Sequence, residues 1–420
     1  MAEVPIGALW RSFARIGLLS FGGPAAQIAL MHRVLVEERR WLDEASFLRA
    51  LSFCMLLPGP EAMQLATYAG WRLRGVTGGI IAGGLFVLPG ALVMGALALA
   101  YAMLGTAPDM QAALTGIKAA VIAIVAQAVW RLSQKALSDG AEQALAAAAF
   151  VALFVFGAPF PLVILAAAGT GWWRARASLP AEHPAPISVR RPWRAVIWLV
   201  LWLAPIPILF ALGQDLLAQI AVFFAKLAAL SFGGAYALLA WMTQEAVTAQ
   251  GWLTAEQMVD ALGLAETTPG PLILVTQFVA MLAGFGAGGT GLALLAGAIT
   301  LWMTFVPCFV LVFAGAPFIE TLLHRPRIAA ALKAITAAVV GVIASLSLWF
   351  AIHVLFAATT PMQFGAITLD RPVWGSLSWG VLGLVILGAG LLGPLRRGVV
   401  FTLLTLAATA WLAGRLGLLP

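Results

Sequence analysis

Long apolar runs separated by short polar stretches define this chain, and two of the runs are broken where a membrane helix would be in mid-course. The first run is interrupted by SFGGP at residues 20–24, and SFGG returns at residues 231–234. Runs able to span roughly 30 Å of hydrocarbon recur along the rest of the sequence. Inside a bilayer the backbone must satisfy its own polar groups, so such runs predict helices. The pattern therefore predicts an all-α polytopic membrane protein.

The two SFGG motifs are the tips of a longer repeat. Phe13 to Gly75 set against Phe224 to Gly286, at a constant offset of 211, gives 20 identities in 63 positions. SFGG meets SFGG, Trp41-Leu42 meets Trp252-Leu253, and Pro58-Gly59-Pro60 meets Pro269-Gly270-Pro271. After a seven-residue lengthening the match resumes at offset 218, where Pro89 meets Pro307 and IKAAVIAIVA from Ile117 meets ITAAVVGVIA from Ile335. The predicted domains are an N-terminal membrane repeat at 1–173, a cytoplasmic linker at 174–194, a connecting transmembrane helix at 195–213 and a C-terminal inverted membrane repeat at 214–420.

Lys and Arg placement sets the orientation of the copies. In copy one the loop before the PGP segment carries Arg33, Arg39, Arg40 and Arg49, whereas Thr243 to Asp260 carries neither Lys nor Arg. WRLRG at 71–75 has two arginines and its partner LAGFG has none. The bias then reverses: Tyr101 to Met110 is free of Lys and Arg, while the matching loop holds Arg325 and Arg327. One crossing between two copies inverts the second, so the charges predict inverted-topology repeats, as in many secondary transporters.

Basic residues flank both breaks of copy one, so both flanks of each broken segment read as cytoplasmic. Arms of about fourteen residues give roughly 21 Å of helix, too short to span alone. Each copy is therefore expected to hold two re-entrant broken-helix hairpins plus about four membrane-spanning helices. Irregular backbone at that depth requires burial in protein or a wet cavity. Pro24 and Pro60 suit the first turn of a returning helix, where a missing N–H costs little. Helix N-termini would then point inward from both faces, and free N–H groups with positive dipole ends make an anion site.

The candidate ligands are Ser20, Phe21, Gly22, Gly23, Pro58, Gly59, Pro60 and Gln64 in copy one. Copy two offers Ser231, Phe232, Gly233, Gly234, Thr267, Thr268, Pro269, Gly270 and Pro271. Arg15 aligns with Lys226, five residues before each SFGG serine, and Lys118 is a third cation within an apolar run. An intramembrane cation argues for function, with snorkelling toward headgroups as the alternative for Arg15. For the serines the alternative is bonding to their own helix, and for the glycines close helix packing. Glu61 and Glu266 leave one carboxyl beside each PGP, either as proton carriers or as partners of the cations.

At SFGGP, LPGPEAMQLATYAGWRLRG with LPG at 88–90, and AETTPGPLILVTQFVAMLAG, the sequence resembles the chromate transporter (CHR) family in its long two-domain form. The resemblance covers both copies. It implies a secondary transporter that exports chromate across the bacterial inner membrane and confers chromate resistance; sulfate, as competitor or as the carried oxyanion, stays open.

Composition narrows the remaining classes. Hydrophobic residues make up 62% of the 420 and charged residues 10%, with a mean hydropathy of +0.99, outside the range of a soluble domain. The net charge of +7 lies in loops, which reads as topology signal and contact with lipid headgroups, not nucleic acid. The N-terminus has no basic region or cleavage site of a removable signal peptide. Cys54 and Cys308 stand in apolar segments, so neither disulfide nor metal is expected. No cofactor is expected, and a homodimer stays open. A channel, a carrier of another anion, or an enzyme acting on lipid phosphate are the rivals. The enzyme would need clustered carboxylates or a nucleophile–base pair, and no nucleotide-binding P-loop is present.

Overall fold

The computed structural model describes residues 4–21, 23–55, 57–105, 107–178, 192–231, 235–323, 326–364 and 367–417. Gly22, Phe232, Gly233, Gly234, His324, Arg325 and most of the Pro- and Arg-rich linker, His183 included, lie outside them. Four stretches are long and apolar enough to cross a membrane: Glu61–Leu104, Pro108–Ala136, Leu272–Phe313 and Pro326–Leu355. The chain is an α-helical polytopic membrane protein.

The first copy runs through α1 (Ile6–Leu19), α2 (Gly23–His32), α3 (Glu44–Cys54), α4 (Glu61–Leu104), α5 (Pro108–Ala136), α6 (Gly140–Phe154) and α7 (Phe160–Ser178). Helices α8 (Pro192–Leu203) and α9 (Pro205–Ala211) follow. The second copy comprises α10 (Asp215–Ala229), α11 (Ala235–Thr243), α12 (Ala255–Thr267), α13 (Val275–Leu323) and α14 (Pro326–Leu355). A hairpin of β1 (Thr359–Phe364) and β2 (Ile367–Pro372) comes next, then α15 (Trp379–Leu392) and α16 (Val399–Arg415).

Local geometry recurs at the sequence offset. Helix α2 runs into a π-helical turn at Arg33–Glu38, and α11 into one at Gln244–Ala249, 211 residues later at both ends. The amides of Trp41 and Leu42 then donate to the Leu35 carbonyl at 2.8 and 3.3 Å; those of Trp252 and Leu253 donate to Ala246 at the same two distances. A left-handed residue precedes each dipeptide, Arg40 with φ 52° and Gly251 with φ 62°. The repeated Trp-Leu is thus the exit from a widened helical turn. Asp43 then caps α3, accepting from the Ser46 hydroxyl at 2.7 Å and amide at 2.8 Å, which holds its carboxyl below the usual range.

Helices α4 and α13 are each two helices joined by a sharp bend. The bend is at Arg74 and Gly75 (φ 60°) in the first and at Gly288 and Gly289 (φ 72°) in the second. A Cβ on Gly70 would collide with the carbonyl of Gly78, a contact that a straight helix cannot make eight residues apart. The equivalent bends lie 214 residues apart, so three of the seven extra residues of copy two fall before the bend. Without this bend α4, with 44 residues, would reach about 66 Å, twice a bilayer core.

The chain forms two compact units, and each draws on both copies. The first is built from Met1–Leu99, Ser178–Leu238 and Thr268–Ala329; the second from Ala100–Ala177, Leu239–Thr267 and Ala330–Pro420. In the first, α10 packs on α13, and α8 lies along α13 with the Trp202 indole donating to the Met303 carbonyl at 3.0 Å. In the second, α12, α15 and α16 all pack on α5. Asp109 at the start of α5 accepts from Trp411 and from both Arg415 donors of α16.

Two local features complete the fold. Helices α8 and α9 follow one another through Ala204, which keeps helical angles, and Pro205, which has no N–H to donate, marks their junction. Beside the helices the chain carries one short antiparallel hairpin, β1–β2. Its strands carry Thr, Gln, Asp and Arg, and it forms where the apolar run of α14 has ended.

Candidate functional site

The broken segments meet in the first unit. Helix α1 ends at Ser20, and Gly23, with φ 78°, turns the chain into α2, which carries Pro24 in its first turn. At the PGP turns Gly59 has φ 116° and Gly270 φ 87°, conformations that favour glycine. The ends are then paired across the copies. The Gly270 amide donates to the Ser20 carbonyl at 2.7 Å, and the Gly59 amide donates to the Ser231 carbonyl at 3.1 Å. Each SFGG break of one copy is thus joined to the PGP break of the other.

The neighbours of the junctions correspond as well. A Cβ on Gly90 would collide with the Pro269 carbonyl, which accounts for the glycine of LPG at 88–90. At the aligned position of copy two stands Cys308, whose sulfur lies 3.4 Å from where a Cβ on Gly59 would be. One glutamine serves each junction. Gln27 donates to the Gly270 carbonyl at 2.7 Å and reaches Ser20 O at 3.5 Å; Gln64 donates to the Pro58 carbonyl at 2.6 Å. Carbonyls only accept, so the amide nitrogens must face them. The Oε1 atoms of Gln27 and Gln64 are left buried with no hydrogen-bond partner among the described residues. Gln277 repeats the arrangement against Ala91 O at 3.1 Å.

The hydroxyls of Ser20 and Ser231 are buried and donate to their own helices, to Ile16 O at 2.6 Å and Ala228 O at 2.7 Å. Thr267 bonds Leu264 O, Thr268 is buried, and Phe21 is half-buried. Glu61 opens α4, half-buried, whereas Glu266 is buried near the end of α12. Arg15 is exposed and bonds Glu38 at 2.8 Å; Lys226, in the last turn of α10, is also exposed. Lys118 belongs to the second unit, where its Nζ lies 3.1 Å from Asp260 Oδ1. Among the described residues no three His, Cys, Asp or Glu side chains gather as a metal site.

Gln27 and Asp260 escaped the sequence reading. Gln27 aligns with Leu238 and Asp260 with Arg49, so the repeat gave neither a signal.

A chain with several apolar spans and broken helices paired at their ends belongs, by class, with multi-pass membrane transport proteins. The chromate transporter family model matches residues 7–172 and 218–413, one match in each copy, and the chain belongs to that family. It is 34% identical over 333 residues to the chromate transport protein of Cupriavidus metallidurans, covering 79% of each chain. It is 34% identical over 346 residues to the chromate transport protein of Pseudomonas aeruginosa, covering 80% of this chain and 78% of the relative. The probable chromate transport protein of Synechococcus elongatus is 32% identical over 343 residues, covering 80% of this chain and 82% of the relative. No solved structure matches the chain.

Proposed function

We propose that this protein is a secondary transporter that moves chromate, a tetrahedral dianion, out of the cytoplasm across a bacterial inner membrane and so confers chromate resistance. The observation that supports this most is the crossed pairing of Ser20 with Gly270 and of Ser231 with Gly59. It gathers the starts of the returning helices, whose N–H groups and dipole ends favour an anion. The two copies are inverted repeats, and their short arms are re-entrant hairpins with the junctions near the membrane midplane. The exposed cations Arg15 and Lys226 draw the oxyanion in, Arg15 exchanging Glu38 for it. Glu61 and Glu266 are the carboxyls beside the breaks that could accompany it as proton carriers.

The test is accumulation of labelled chromate in everted vesicles carrying the chain, with and without a pH gradient, and with sulfate in excess. Chromate accumulation above that of vesicles lacking the chain is expected. Its absence, with labelled sulfate accumulating instead, would assign the carrier to sulfate.

A further inference from the structure

We infer that Lys118, Asp260 and Tyr101 form a second anion-linked site, in which Asp260 takes up a proton as Lys118 exchanges it for the oxyanion. The inference rests on the oxyanion reading above and adds to it a residue for the proton. All three residues lie in the second compact unit. Asp260, on α12, is wholly buried. Its Oδ2 accepts from the Tyr101 hydroxyl at 2.7 Å, and its Oδ1 is ion-paired with Lys118 Nζ at 3.1 Å. Lys118 is the more accessible ionic partner, with 11% of its side chain exposed.

The pairing differs from a strut common to both copies. At the aligned positions copy one has Arg49 for Asp260, and copy two has Thr336 for Lys118. Arg49 is exposed and bonded to Ser46, and Thr336 bonds its own helix at Leu332 O. The repeat therefore builds the corresponding helices without this ion pair. A buried pair is costly to desolvate, and intramembrane ionisable groups are retained where they serve function.

The chemistry balances with one proton from solvent. Before the oxyanion binds, Asp260 is ionised, accepts from Tyr101, and neutralises Lys118. When a proton binds Oδ1, the carboxyl becomes neutral and Lys118 keeps its charge with no internal counter-ion. The ammonium is then free to donate to a tetrahedral oxyanion. A phenol both donates and accepts, so Tyr101 serves Asp260 in either state. Glu256, one turn earlier on α12 and exposed, is the other titratable group acting on Asp260 among the described residues.

The test is equilibrium binding of chromate to the purified full chain across pH, for the unsubstituted protein and for variants. Chromate's own protonation is common to all of them and cancels in the comparison. One linked proton makes affinity rise about tenfold per pH unit as pH falls through the range where Asp260 titrates. Asp260→Asn is expected to remove that proton from the slope and to bind more tightly at high pH. Lys118→Gln should weaken binding at least tenfold, with Lys118→Arg recovering most of the loss. An Asp260→Asn slope equal to the original, or unchanged affinity in Lys118→Gln, overturns the assignment. If Asp260→Asn does not fold, Tyr101→Phe decides: a displaced pH midpoint supports the site, and an unmoved midpoint refutes it. Recovery of binding in Lys118→Met/Asp260→Asn would reduce the pair to a strut. Absence of chromate binding at every pH in the unsubstituted chain removes the oxyanion reading itself.

Discussion

Gly90 is a glycine because a neighbouring carbonyl occupies the place of its side chain. A Cβ there collides with the Pro269 carbonyl, while Gly84, six residues earlier on the same helix, has open space around it. Gly90→Ala is expected to destabilise the protein by about 1–3 kcal/mol, the usual cost of overpacking, and Gly84→Ala to leave thermal unfolding nearly unchanged. Equal unfolding temperatures for the two variants would show that the junction yields freely. The glutamines act by bonding backbone instead. Gln27→Leu leaves the Gly270 carbonyl without its 2.7 Å donor, an expected loss of about 1–3 kcal/mol. At Arg15 the question is charge against shape. Lysine keeps the charge but loses the planar fork suited to a tetrahedral oxyanion, so Arg15→Lys should weaken chromate binding less than Arg15→Gln. Unchanged affinity in folded Arg15→Gln would leave Arg15 only its bond to Glu38.

At the scale of elements, glycine and proline made the breaks legible and the repeat located their partners. SFGG and PGP could be placed at helix ends from the sequence because no other residue types tolerate those backbone angles so cheaply. The crossed pairing could not be read, because backbone hydrogen bonds such as Gly270 to Ser20 leave no side-chain signature beyond the glycines themselves. Asp260 was hidden for a different reason: its aligned partner is Arg49, which reads in the sequence as a topology signal, so the position carried no mark of a site. The bend of α4 falls at the Gly75 that closes the first block of identity, yet hydropathy continues through it without a pause. Gly75 has φ 60°, and nothing stands within 4 Å of a Cβ placed there. Gly75→Ala should therefore cost only the strain of the left-handed backbone, about 1 kcal/mol, as a small fall in unfolding temperature. A larger loss would mean that the bend needs more than its glycine.

At the scale of the whole molecule, function depends on whether the copies face opposite sides of the membrane. The structure carries the same turn twice, from Arg33 to Leu42 and from Gln244 to Leu253, with matching backbone bonds but contrasting charge. The first of these turns contains Arg39 and Arg40, the second Gln250 and Gly251 at the aligned positions. If both lay on one side, the positive-inside bias would have no reason to act on one and spare the other. Inversion would account for the difference, and also for the reversal beyond the bends, where Arg327 in copy two aligns with a stretch of copy one that has neither Lys nor Arg. Single cysteines at exposed positions of the two turns, placed in a chain freed of Cys54 and Cys308, provide the measurement. An impermeant thiol reagent applied to intact cells should label the turn of copy two, and the turn of copy one only after the membrane is opened. Labelling of both turns from the same side would remove the inversion, and with it the reason to bring anion-favouring helix ends together from opposite faces.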